Sequence, residues 1–179
     1  DVFPERLAAV LDAIEGACLR LSLAGGDEDT VARAADALRE IAHARDVALV
    51  IDRHVLLVER LGLDGVHLTD GARSVRKVRK DLGQDAIVGA VCGASRLVGM
   101  NAAEAGADYV AFGSVGATPL GDGTVAGRDL FEWWAEMIEV PVVAEGALTR
   151  DLVESLAPVT DFFCIGDEIW READALAAL

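Results

Sequence analysis

The sequence predicts an α/β protein of the (β/α)8 barrel type, and three stretches carry that prediction. Leu61-Gly-Leu-Asp-Gly-Val-His-Leu68, Glu104-Ala-Gly-Ala-Asp-Tyr-Val-Ala-Phe-Gly113 and Val159-Thr-Asp-Phe-Phe-Cys-Ile-Gly166 share one grammar. Each runs from a helix end through a tight turn with an aspartate into a short apolar strand. Strands buried on both faces read as continuous apolar runs, which is the signature of a parallel sheet covered by helices. In such folds the chemistry sits at the carboxyl ends of the strands. An open doubly wound sheet is the alternative. It is disfavoured because no glycine-rich phosphate fingerprint follows an early strand.

The elements follow in order. Pro4 to Ile14 carries Pro and Glu in its first turn and apolar residues at helical spacing. Cys18 to Leu23 alternates as a strand. Asp27 or Asp29 caps a helix to about Ala44, with Val31, Ala34, Ala35, Leu38, Ile41 and Ala42 on one face. Val47 to Ile51 is a strand, Val55 to Leu61 a helix and Gly65 to Leu68 a strand. Ser74 to Leu82 is a basic amphipathic helix closed by Gly83, and Ala86 to Val91 the next strand. Arg96 to Ala105 is a helix, Tyr109 to Phe112 a strand, and Gly113 to Gly127 a Gly/Pro-rich loop. Helix Leu130–Ile138, strand Val140–Ala144, helix Arg150–Leu156, strand Phe162–Ile165 and helix Glu168–Leu179 complete the order. The first of these elements is a helix, so a barrel reading expects its first strand upstream of Asp1, absent from this chain.

With 179 residues and no linker-like segment, the chain is expected to form one domain, residues 1–179. The apolar share is 53%, without a run of membrane-spanning length. Cys18, Cys92 and Cys164 fall in or beside expected strands and suggest reduced thiols in a cytoplasmic protein. A net charge of −15 argues against nucleic acid and anionic membrane as partners. It also makes an anionic substrate awkward unless local groups offset the field.

Candidate site residues are those at the carboxyl ends of the expected strands. Ser22 and Ala24 follow the first, Asp52 and Arg53 the second, and His67, Thr69 and Asp70 the third. The stretch from Val91 to Arg96 follows the fourth, and Gly113, Ser114 and Thr118 the fifth. Glu145 and Gly146 follow the sixth, and Gly166 and Asp167 the last. Each has a plainer reading. Asp52 caps a helix and Arg53 is a surface charge; His67 is a core histidine with its hydrogen bonds satisfied; Asp70 caps the next helix. Cys92 is a small buried residue, or a thiol whose pKa Arg96 lowers. Glu145, directly after the buried run Val-Val-Ala, has the weakest structural excuse and points into the mouth. Trp133 and Trp134 lie about 100° apart on a helix and read as packing residues.

The run to Leu68, the run to Gly113 with Thr118 beyond it, and Pro141-Val-Val-Ala-Glu-Gly146 resemble the thiamine-phosphate synthase family, including its TenI-like branch. Order and spacing hold from about Gly16 to the carboxyl end. The resemblance implies a (β/α)8 barrel and a reaction joining a hydroxymethylpyrimidine diphosphate to a thiazole phosphate with Mg²⁺. Such chemistry needs cations around the leaving diphosphate and carboxylates for the metal.

Against that pattern the chain departs at several positions. The family's Asn-Asp pair is Asp52–Arg53 here, and its Gly-Gln-Glu-Asp run is Thr69-Asp-Gly-Ala72. Its Gln-x-Arg-x-Lys run corresponds to Arg20-Leu-Ser-Leu-Ala24, and its loop lysine to Pro119-Leu-Gly-Asp122. The Gly-Gly pair and serine turn whose N–H groups hold phosphate correspond to Glu145-Gly146-Ala147 and Gly166-Asp167. Two carboxylates beside a phosphate dianion would cost several kcal/mol at intermediate dielectric. The TenI-like branch carries a proton-transfer histidine where this chain has Cys92-Gly-Ala94; Glu145 or Cys92 is the expected substitute.

The resulting expectation is a barrel that binds or converts a small heterocycle related to thiamine biosynthesis. Glu145 and Cys92 are its candidate catalytic groups. Arg20, Asp52, Arg53, His67, Asp70, Gly113, Thr118, Gly146, Gly166 and Asp167 are its candidate binding residues. No metal ligand or cofactor is expected, with Mg²⁺ only if the synthase reaction is retained. The expected partner is a small heterocyclic metabolite, with a homo-oligomer possible. A non-catalytic barrel that binds a metabolite or a protein is the alternative.

Overall fold

The computed structural model describes residues 3–22, 25, 27–118 and 123–178. Leu23, Ala24 and the stretch 119–122, all singled out above, lie outside the described residues. Helices and parallel strands alternate as the sequence predicts, with seven strands among the described residues following one another in chain order. They are distributed over two compact units, the first built from residues 1–67, 82–87 and 169–179, the second from 68–81 and 88–168.

In the first unit, α1 (Phe3–Ala13) and α2 (Glu28–His43) accompany strands β1 (Cys18–Leu21) and β2 (Ala48–Asp52). After α3 (Val55–Leu61) comes β3 (Gly65–Leu68). β1 pairs with β2 and β2 with β3, both parallel, with Asp52 opposite His67. Asp27 caps α2 through a 2.8 Å bond from the Thr30 N–H, and Gly62 ends α3 in the left-handed conformation at φ 62°. Leu49, Val50, Ile51 and Val66 are buried completely, so this sheet is covered on both faces.

The second unit holds most of α4 (Val75–Leu82), then β4 (Ile87–Gly93), α5 (Arg96–Ala105), β5 (Tyr109–Gly113), α6 (Arg128–Met137), β6 (Val142–Glu145) and α7 (Arg150–Leu156). A 3-10 turn at Ala157–Val159 precedes β7 (Phe162–Cys164). β4 through β7 pair in parallel, with Gly113 opposite Glu145 and Glu145 opposite Cys164. Phe112, Phe131 and Trp134 form an edge-to-face cluster with centroids 5.0 and 5.8 Å from Phe112. Gly99 is what lets them close: a Cβ there would stand 2.7 Å from Trp134.

One device explains why the aspartate turn recurs. Asp64, Asp108 and Asp161 each stand just before a strand and reach back to the strand before it. The Asp64 carboxylate accepts from the Leu49 N–H at 2.7 Å, and the Asp64 N–H donates to the Leu49 carbonyl. Asp108 does the same with Val88, and Asp161 with Val142. Each clip satisfies both main-chain groups of one strand-entry residue, which would otherwise be unpaired there. Arg79, only 9% exposed, braces the second clip by pairing with Asp108 and donating to the Gly106 carbonyl at 3.0 Å.

Gly65, immediately after the first clip, packs against main chain. A Cβ there would lie 1.9 Å from the Ile87 carbonyl oxygen. Backbone cannot rotate away as a side chain would. Gly65→Ala is therefore expected to destabilise the protein by about 2–3 kcal/mol, read as a lower denaturant midpoint at unchanged slope.

Several boundaries differ from the sequence reading, most visibly at three strand ends and in the last helix. Asp52, Gly113 and Glu145 are the last residues of their strands rather than the first beyond them. The single helix expected over Glu168–Leu179 is two short ones, α8 (Asp167–Trp170) and α9 (Ala175–Ala178). Asp174 breaks it by accepting from the N–H groups of Leu176 and Ala177 at 3.1 and 3.2 Å. Arg6 holds the Glu172 carbonyl at 2.8 Å, away from helical bonding.

Candidate functional site

Arg20 on β1, Asp52 on β2 and His67 on β3 converge at the carboxyl ends of the first unit's strands. The Arg20 guanidinium donates to His67 Nε2 at 3.0 Å, so His67 carries its proton on Nδ1. Its Nε lies 3.8 Å from Asp52 Oδ1. His67 is 1% exposed, and burial, then the Arg20 charge, pushes its pKa down to about 3. The imidazole is neutral across the physiological range. Asp52 is 8% exposed, and its Oδ1 accepts no hydrogen bond among the described residues. A buried carboxylate oxygen without a donor is uncommon, because lost hydration goes uncompensated. Arg53 is exposed, adopts a left-handed φ of 63°, and bonds the His67 carbonyl through its N–H at 3.1 Å.

Cys92, Gly113, Ser114, Glu145 and Gly146 gather at the strand ends of the second unit. A Cβ at Gly113 would stand 2.3 Å from the Glu145 carbonyl oxygen and 2.8 Å from its Cγ, so glycine lets β5 and β6 close beside the half-buried carboxylate. The Ser114 hydroxyl is shared between the carbonyls of Gly116 at 2.7 Å and Gly146 at 2.9 Å, fastening one loop to the next.

Of the two readings of Cys92, the geometry favours the small buried residue over a thiol activated by Arg96. Burial, and then the Glu145 charge, pushes the thiol up to about 12. Arg96 instead stacks on Trp133 at 4.9 Å and reaches toward Asp129. Cys92 is thus a protonated thiol, with its Sγ 3.4 Å from the Ala90 carbonyl. Alkylation by iodoacetamide at pH 8 is expected to be about a thousandfold slower at Cys92 than at a free thiol. Exposed Cys18 should label at the ordinary rate, and peptide mass spectrometry reads both sites.

Glu168 is the residue the sequence reading missed. Its Oε2 accepts from the Gly166 N–H at 2.9 Å and its Oε1 from the Leu148 N–H at 3.1 Å. Burial pushes this carboxyl up, but the N–H groups of Gly166, Glu168, Leu148 and Ala147 outweigh it and hold it below the ordinary glutamate value. Asp167, the neighbour that the sequence pointed to, is exposed. The available signal was a carboxylate two residues past a strand-end glycine, at the start of a short helix.

Of the remaining candidates, Asp70 is exposed and accepts from the Ser74 hydroxyl at 2.6 Å, consistent with its plainer reading as a turn residue before α4. Thr118 and Gly166 are half-buried. Gly146 takes a φ of 84°, and a Cβ on it would press within 2.9 Å of Ser114 Oγ.

At the strand end where the family resemblance implies Mg²⁺, Asp52 stands beside the Arg20 guanidinium. No group of three or more His, Cys, Asp or Glu side chains able to hold a metal exists among the described residues. Among the described residues, the buried carboxylate oxygen without a hydrogen bond, Asp52 Oδ1, faces a guanidinium at 3.8 Å, where a dication would be repelled.

Parallel strands, intervening helices and polar side chains at the strand ends define the class: a βα-repeat protein. The thiamine monophosphate synthase (TMP-TENI) family matches residues 3–162, and the chain belongs to that family. A thiamine-phosphate synthase of Rhodospirillum centenum is 39% identical over 178 residues, covering 98% of this chain and 86% of its own. That of Erythrobacter litoralis is 38% identical over 174 residues, covering 94% and 82%. Among solved structures, thiamine phosphate pyrophosphorylase from Pyrococcus furiosus superposes with a TM-score of 0.86 at 21% identity, covering 98% of this chain and 84% of that one. The fold is therefore that of the synthases. No helix of the described residues is long and apolar enough to cross a membrane.

Proposed function

We propose that this chain is a divergent (β/α)8 barrel of thiamine biosynthesis that takes a small neutral or cationic heterocycle at its strand ends, without a metal-bound diphosphate. The observation that carries the reading is the Arg20–His67–Asp52 cluster. The cation that would meet a diphosphate is already engaged by a neutral imidazole and a carboxylate. The remaining unsatisfied atom, Asp52 Oδ1, is an acceptor and wants an N–H donor such as a ring amino group. Close homology to named synthases supports the thiamine connection, while the donor set argues against the standard synthase chemistry. Glu145 serves as the proton-transfer group: it is half-buried at a strand end, and the Cys92 thiol beside it stays protonated. Arg53 flanks that cluster in the first unit, and Asp70, Gly113, Thr118, Gly146, Gly166 and Asp167 are the binding candidates of the second.

Titration calorimetry with pyrimidine, thiazole and thiamine species tests this directly. The unphosphorylated forms should bind more tightly than their phosphate and diphosphate counterparts, with or without Mg²⁺. Tighter binding of the diphosphates on adding Mg²⁺ would sink the reading. Complementation of a cell lacking the synthase separates conversion from mere binding, since growth requires turnover.

A further inference from the structure

The outer helices of the second unit carry their charge in rows. Arg76, Lys77 and Lys80 on α4, with Arg73 in the turn before it, follow the i, i+3, i+4, i+7 spacing of one helix face, and all are exposed. Val75 and Val78 are buried on the other side. In a chain with 31 acidic and 16 basic residues, a merely solvated face would mix the signs. Elsewhere Arg39, Arg45, Arg60 and Arg128 each meet a carboxylate within 3.0 Å. Of the α4 row only Lys77 does so among the described residues, pairing with Asp81 at 2.5 Å. The helix dipole favours Lys80 in the last turn but disfavours Arg73 and Arg76 at the first. α6 carries the opposite row, exposed Asp129, Glu132 and Glu136, which Arg96 and Arg128 offset only in part. α5 runs between the two. Arg79 of α4 bonds the Gly106 carbonyl at its end, and Gly99 within it abuts Trp134 of α6. From α5 projects Leu97, 67% exposed.

We infer that the face formed by α4, α5 and α6 docks a second copy of this chain across a two-fold axis at α5. Such a rotation lays α4 of one copy on α6 of its partner and repeats the same contact on the other side. A cationic row, an apolar centre and an anionic row are complementary to their own reversed image. Leu97 of both copies is covered at the middle. The net charge of −15 makes the copies repel at a distance, but that repulsion is screened beyond about 8 Å at physiological ionic strength. Rows in contact escape the screening, and they fix register and partner more than affinity. A nucleic acid is a poorer occupant. Its charge would run on past a row only about 10 Å long, onto exposed Asp70 at one end and Asp81 and Asp85 at the other. The inference goes beyond the proposed function and needs no ligand at the strand ends.

Sedimentation equilibrium of the full chain at physiological salt tests it by charge exchange. The wild-type protein should dimerise. Arg76→Glu/Lys80→Glu and, separately, Glu132→Lys/Glu136→Lys should each raise the dimer dissociation constant about tenfold or more. Net charge alone would push these two variants in opposite directions, since one makes the chain more acidic and the other less. All four substitutions in one chain should restore dimerisation, because the rows are then exchanged rather than lost. A monomeric wild type, a double variant that dimerises as before, or a fourfold variant no stronger than its halves overturns the inference. Zero-length carbodiimide cross-linking of the wild type gives a second measurement, because both lysines of the chain, Lys77 and Lys80, lie on α4. In a mixture of isotopically light and heavy chains, mass spectrometry should find them joined to Glu132 or Glu136 of the other copy. Links between copies that join these lysines only to other carboxylates overturn it as well. If the charge variants fail to fold, the cross-link map decides alone.

Discussion

Arg20→Met is expected to cost about 1–3 kcal/mol of stability, since it takes the counter-ion from a nearly buried carboxylate and the donor from a buried imidazole, although the guanidinium itself is only half-buried. The guanidinium serves two buried groups at once, His67 Nε2 at 3.0 Å and Asp52 Oδ1 at 3.8 Å. Methionine keeps much of the apolar stem but offers neither group a donor or a charge. Asp52, 8% exposed, would then hold its charge without hydration or counter-ion. Chemical denaturation reads the loss directly. The double variant Arg20→Met/Asp52→Leu provides the control, because an apolar pair of similar bulk should recover most of the stability. A double variant as weak as the single one would show that the lost energy lay in packing instead. Heterocycle binding should vanish in both variants, so stability and recognition separate in the double variant.

Stability should also fall as the solution is acidified below about pH 6.5, with His67 as a principal cause. Its pKa is 6.5 when unperturbed and about 3 in the folded protein. Between these values the unfolded chain binds a proton that the folded chain refuses, so stability drops as pH falls. The contribution is fully present above 6.5 and lost at about 1.4 kcal/mol per pH unit, reaching about 4 kcal/mol near pH 3. Carboxylates titrate over part of the same window, so the difference from His67→Gln isolates the imidazole. Denaturation midpoints at pH 7, 5 and 4 should converge between the two proteins as the pH falls. Parallel lines would mean that His67 protonates freely in the folded state.

The repeated aspartate turn was readable as punctuation, and four helices and strands were placed to the residue from such signals: Val55–Leu61, Gly65–Leu68, Arg96–Ala105 and Arg150–Leu156. What the turn does was not readable, because each aspartate's partner lies on the preceding strand, across a whole helix in the chain. The same separation hid the engagement of His67. Its sequence neighbours are apolar and describe a core position, while its partner Arg20 stands 47 residues away. Glu168 escaped notice because two of its four donors come from a turn 20 residues upstream. Candidates were sought directly after each strand, and that rule selected exposed Asp167. The carboxyl-terminal helix failed for a local reason: its apolar spacing was right, but Asp174 offered the backbone a competing bond. In physical terms, short-range periodicity fixes where chain segments run, and polar side chains choose partners by proximity in space.

The aspartate clips at Asp64, Asp108 and Asp161 grip main-chain atoms at strand entrances, the end opposite the reactive groups. Strand alignment at these entrances is therefore held by contacts that do not involve the side chains of the far rim. Replacements there alter what is recognised while the scaffold's registration stays insured from below. A lineage could thus exchange one small-molecule chemistry for another by substitutions at the rim, provided that paired charges such as Arg20 and Asp52 change together.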